Sequence, residues 1–224
     1  MIATGLCCLW SWAMRQFSLC LAAASILSMA STLISSAANY PTDAYDALYK
    51  KQKMTKQAEG YGNDGGVSDY RFVTDGQGRI RIETEPANAG FITGQKPPKT
   101  ITIFDFPNGE TYILLEKQKL AMRSVLTKDA SLAPIDEKRV KEMNGKSLGT
   151  GVRSSHPCHG WEYELNGVKT ETWIADDLKC PIDTFTMNSD GTLDVLHLYK
   201  FSNRIPTQDE FNVPRDFKVT NPGG

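Results

Sequence analysis

The chain has 224 residues, with 25 Lys and Arg against 26 Asp and Glu and a formal net charge of −1. That balance excludes both the basic footprint of a nucleic-acid binder and a polybasic patch for an anionic membrane surface. Hydrophobic residues make up 40% of the chain, enough for one sizeable core; no internal repeat, heptad run or low-complexity tract interrupts it.

Residues 1–38 read as a cleaved targeting segment. Arg15 is their only charged residue, an apolar stretch runs from Phe17 to Ile34, and Ser36-Ala37-Ala38 fits a small-x-small cleavage site. Met14 is an alternative start that gives a signal of more ordinary length. A membrane anchor is the competing reading, but serines and small residues break the apolar run. A lipoprotein signal is a poor match, because Cys20 follows Phe17-Ser18-Leu19. Cleavage removes Cys7, Cys8 and Cys20, leaving Cys158 and Cys180 as an even pair in an oxidising compartment, here the periplasm.

The mature chain suits one domain, divided into an N-terminal helix and Gly-rich linker over 39–67 and an antiparallel half-barrel over 68–224. Thr42 to Lys56 is predicted as an amphipathic helix: Thr42 or Asp43 can cap it, and Tyr45, Leu48, Tyr49 and Gln52 fall at helical spacing. Gly60 to Gly66 reads as a flexible connection. From Ser68 the period becomes two. Asp69–Thr74 and Arg79–Thr84 are strands around the turn at 75–78, and Thr100–Phe106 and Glu110–Glu116 flank Pro107-Asn108-Gly109. A strand over Lys119–Leu126, a short charged helix or loop over Ile135–Met143 and a strand over Gly145–Arg153 follow. Pro157 to Ile174 reads as two strands about an Asn166-Gly167 turn, a hairpin closed by a Cys158–Cys180 disulfide. Ile182–Met187 and Thr192–Phe201 meet across Asn188–Gly191, and Phe211 and Phe217 sit in an extended tail whose aromatics pack on the sheet. The last long strand is apolar on both sides, with Leu193, Val195 and Tyr199 on one and Leu196 and Leu198 on the other. Such a sheet is covered by a helix or encloses a cavity.

Serial hairpins with one initial helix give an α+β class: a curved antiparallel sheet with an N-terminal helix and a short helical insert. The runs 75–83, 103–115, 145–150, 156–163 and 171–177, with Cys180-Pro181, occur in the order found in an exported bacterial domain family of unknown function, which resembles the lipoprotein carriers LolA and LolB. The resemblance covers Tyr70 to Phe217. It implies an incomplete barrel with a helix packed into its concave side, where the carriers hold acyl chains. The inward residues it implies are Tyr70, Phe72, Ile80, Ile82, Ile101, Ile103, Tyr112, Leu114, Met122, Trp161, Tyr163, Trp173 and Phe185. An apolar lining suffices for such a ligand, since each buried methylene contributes about 0.8 kcal/mol.

Other chemistry is poorly supported. His156, Cys158 and His159 lack the second ligand pair of a zinc site. Glu162, Glu164 and Glu171 fall on solvent faces, Asp176-Asp177 sits at a turn, and Ser154 and Ser155 have no nucleophile elbow. The expectation is a monomeric, non-enzymatic periplasmic protein with no cofactor, metal or nucleic-acid partner, binding a lipid, an acyl chain or a lipidated protein. The alternative is an envelope interaction module whose concavity is filled by its own helix.

Overall fold

The computed structural model describes residues 39–57, 60–85, 98–127, 130–165 and 167–221, without the side chains of 63–65 and Leu165. The expected leader and its cleavage point lie outside these residues. The strands are β1 (Ala44–Gln57), β2 (Gly60–Asp75), β3 (Arg79–Glu85), β4 (Thr100–Asp105), β5 (Glu110–Leu115), β6 (Leu120–Val125), β7 (Lys146–Arg153), β8 (His156–Leu165), β9 (Val168–Ala175), β10 (Pro181–Met187), β11 (Leu193–Ser202) and β12 (Lys218–Thr220). One short helix, α1 (Glu137–Glu142), precedes β7. The strands form a single open curved sheet in the order β12-β6-β5-β4-β3-β2-β1-β11-β10-β9-β8-β7. Every pairing is antiparallel except β12 on β6.

The curved antiparallel sheet and the helical insert are as expected; the N-terminal helix is not. Its residues form β1, hydrogen-bonded to β2 on one side and β11 on the other. Tyr45, Ala47 and Tyr49 are buried along one face and Asp46, Leu48 and Lys50 alternate with them. Tyr45, Leu48 and Tyr49 satisfy a helical spacing, but small Ala47 completes a period of two that the aromatics alone do not reveal. Pairing on both edges then overrides local propensity. The Gly-rich stretch read as a linker is the first half of β2.

Side chains directly opposite in an antiparallel pair share a face. Tyr45, Ala47, Tyr49, Tyr70 and Phe72 therefore lie on one side of the sheet, and Ile182 and Leu198 belong to the same core cluster. A second cluster forms on the other side of the β2–β6 half, where Val73, Ile101, Ile103, Leu114 and Ala121 pack beneath Phe211. The aromatic tail does pack on the sheet, and Phe211 is 6% exposed. One continuous sheet thus buries opposite faces in its two halves.

Candidate functional site

The first face encloses a hollow of about 290 Å³, close to the lower end of small-ligand sites. Strands β1 and β2 supply Tyr45, Tyr49, Tyr70 and Phe72; Tyr163, Thr172, Ile174, Thr184 and Leu196 come from β8 to β11. Residues 131–135 cross the opening as a strap, and α1 with the residue after it contributes Arg139 and Met143. The strap is pinned where the Asn39 carbonyl accepts the N–H groups of Leu132 (2.8 Å) and Ala133 (3.1 Å) and the Ser131 hydroxyl (3.1 Å). Asp136 caps α1 through the Arg139 N–H at 2.8 Å, and Val140 is buried. Gly145 closes the helix against β8, where a Cβ would stand 2.5 Å from the Glu162 carbonyl oxygen. A second hollow, lined by Tyr40, Pro41, Asp43 and Lys179, lies on the other flank of Ala133–Ile135 and shares Tyr45 and Ile174 with the first.

Apart from Arg139, the hollow is lined by apolar side chains and neutral hydroxyls. Burial pushes the phenols of Tyr45 and Tyr49 well above their ordinary range and that of Tyr70 to about 12. Burial also raises Tyr163, opposed by the Arg139 charge. The Thr172 and Thr184 hydroxyls bond each other at 3.0 Å across β9 and β10, leaving the wall between them without an unpaired polar group.

Of the thirteen residues expected to face inward, Tyr70, Phe72 and Tyr163 line the hollow. Ile80, Ile82, Met122 and Trp161 share its face but stand outside it. Ile101, Ile103, Tyr112 and Leu114 belong to the opposite face, because Arg81 and Glu83, not Ile80 and Ile82, stand across from Ile103 and Ile101. Trp173 and Phe185 also point away, being next in sequence to Thr172 and Thr184. Trp173 lies on glycines of β7 and β8: a Cβ on Gly160 would be 2.8 Å from its ring, and the Arg153 guanidinium stacks over it at 4.4 Å. Sequence reasoning missed Tyr45, Tyr49, Thr172, Thr184, Leu196, the strap, Arg139 and Met143. Thr170, Thr172 and Ile174 do alternate with period two, and that signal was available.

The cysteines do not close the β8–β9 hairpin. Cys158 stands opposite Ala175, and Cys180, just before β10, accepts the Ala175 N–H through its carbonyl at 3.0 Å. The end of strand β9, at Ala175, therefore stands next to both. Both are buried thiols. Burial raises Cys158 and pushes Cys180 up to about 12, with the Tyr49 hydroxyl acting in the opposite sense on Cys180.

Each histidine gives its Nδ1 to an aspartate: His156 to Asp177 (2.8 Å), His159 to Asp176 (2.6 Å) and His197 to Asp183 (2.6 Å). Among the described residues no three His, Cys, Asp or Glu side chains converge on one point as metal ligands would.

No family model and no curated protein sequence matches the chain. Solved structures similar to it include the MucA/MucB complex of Pseudomonas aeruginosa, at 11% identity and TM-score 0.44, covering 79% of this chain and 58% of that one. They also include the LolA superfamily protein NE2245 from Nitrosomonas europaea, at 8% identity and TM-score 0.38, covering 77% and 91%. An uncharacterized conserved protein from Thermus thermophilus aligns over 81% of this chain and 91% of its own length at 12% identity, with a TM-score of 0.53, and shares its fold.

Proposed function

We propose that this is an exported, non-enzymatic binding protein of the periplasm that takes an apolar chain, from a lipid or a lipidated protein, into the hollow beneath the strap. The observation that carries the reading is the lining of that hollow: aromatic and aliphatic side chains with neutral hydroxyls, between a curved sheet and a covering segment held by backbone hydrogen bonds. Burial of methylenes supplies the affinity, and a strap tethered at Asn39 gives the chain a way in without opening the sheet.

The test is displacement of an uncharged apolar dye, N-phenyl-1-naphthylamine, by single-chain lipids. Native protein binds the dye and releases it to lipid, whereas Leu196→Trp, which fills the hollow, loses both. A native protein from which no lipid displaces the dye overturns the proposal. A second reading, an interaction module with a filled concavity, is favoured by the way the strap and α1 already occupy part of the concave face. It predicts that Leu196→Trp leaves every binding property unchanged.

A further inference from the structure

Among the described residues lining the hollow, Arg139 alone carries a charge. The other charged side chains around α1 satisfy one another or the backbone: Lys141 pairs with Glu137 at 2.6 Å, Lys138 with Glu142 at 4.0 Å, and Asp136 holds the N-terminal N–H of Arg139. No carboxylate among the described residues pairs with the Arg139 guanidinium, whereas Arg71, Arg81, Arg123 and Arg204 all have acidic partners. Tyr163 lines the same hollow as Arg139, and the Arg139 charge acts on its phenol against the effect of burial. A structural role would give this arginine a carboxylate or a ring to rest on, as Arg153 rests on Trp173. Arg139 is only partly buried, and among the described residues no carboxylate is supplied to its guanidinium donors.

We infer that the occupant is a single-chain amphiphile with an anionic head, its carboxylate or phosphate held by Arg139 and the Tyr163 hydroxyl while the alkyl chain runs over Tyr70, Phe72 and Leu196. An arginine fork matches such oxyanions in two parallel hydrogen bonds, which a neutral alcohol cannot supply. The inference rests on the hollow being a ligand site and adds the class of head group.

Competition against N-phenyl-1-naphthylamine separates the two claims when hexadecanoic acid, hexadecyl phosphate and hexadecanol are compared at equal chain length. Native protein is expected to prefer the anions by about tenfold or more, the scale of a hydrogen bond to a charged group. The preference collapses in Arg139→Gln and is partly kept in Arg139→Lys. The melting temperature of Arg139→Gln should match the native value, since its side chain holds no other element. Equal binding of acid and alcohol by native protein, or an anion preference that survives Arg139→Gln, overturns the anionic head and leaves the hollow as a ligand site. Failure of all three to displace the dye overturns both. Which anion binds more tightly identifies a carboxylate or a phosphate head as the source.

Discussion

Arg204 is the residue on which the C-terminal segment turns. Its guanidinium grips Glu210 through two bonds of 2.7 and 2.6 Å and reaches Asp46 on β1 at 3.0 Å, while Arg71 takes Asp46 at 2.9 and 2.7 Å. Glu210 also accepts the Thr207 N–H, so one carboxylate ties the turn carrying Phe211 to the sheet. The Arg204 hydrogen bonds hold Glu210 down at about 2, and Asp46 is lowered because its two arginines outweigh its burial. An unfolded glutamate titrates near about 4.3, so this contribution to stability is complete above that pH and is lost as pH falls toward 2. Glu210→Gln is therefore expected to melt earlier than native protein at pH 7, by about 1–3 kcal/mol, and to lose less stability on acidification. A thermal melt series from pH 7 to acid checks both, and parallel pH profiles would contradict the assignment. The cysteines give a second prediction at this scale. Two thiols buried on either side of Ala175 should resist modification in the folded protein and both react once it is unfolded without reductant. A loss of two hydrogens in the intact mass would show instead that the two are joined as a disulfide.

At the scale of the element, β1 is where sequence and structure part company. Ala47 lies across from Phe72 on β2 and Phe201 on β11, and the neighbouring Tyr45 stacks on both rings at 5.6 Å. With no exposure left to it, Ala47→Leu should force the two strands apart and cost about 1–3 kcal/mol, measured by urea unfolding. On a surface helix the same change would be close to neutral. The hairpins were legible because their information is local: Asp75-Gly76, Asn108-Gly109 and Asp190-Gly191 state their own turns, and Gly76, Gly109 and Gly191 all take positive φ. Which face of a strand meets which core was not legible. Ile80 and Ile82 look equivalent to Ile101 and Ile103 along the chain, but the register of β3 on β4 sends the pairs to opposite sides. Arg139 was hidden for a similar reason. In sequence it is one more charge in a charged helix, and only the pairing of its neighbours leaves it facing the hollow.

For the whole molecule, the distribution of the two cores decides how it unfolds. The β2–β6 half packs under the C-terminal segment and the other half under the strap, and β1 with β2 joins them through continuous ladders. Asp46 couples the halves again, because its face of β1 is bound to Arg204 beyond β11 and to Arg71 on β2. A half that detached would leave one edge of the central strands without its hydrogen-bond partners and break that charge cluster, so separate melting is disfavoured. The tryptophans make this measurable. Within the described residues both Trp161 and Trp173 sit on β8 and β9, so their fluorescence follows one half while far-UV circular dichroism follows all twelve strands. Coincident denaturant transitions by the two probes are expected. A saturating ligand in the hollow should then move both midpoints by the same amount, since it binds only the folded state. A fluorescence transition displaced from the dichroism one would mean that β1 fails to transmit folding across the sheet, and that the hollow could open with the Phe211 core intact.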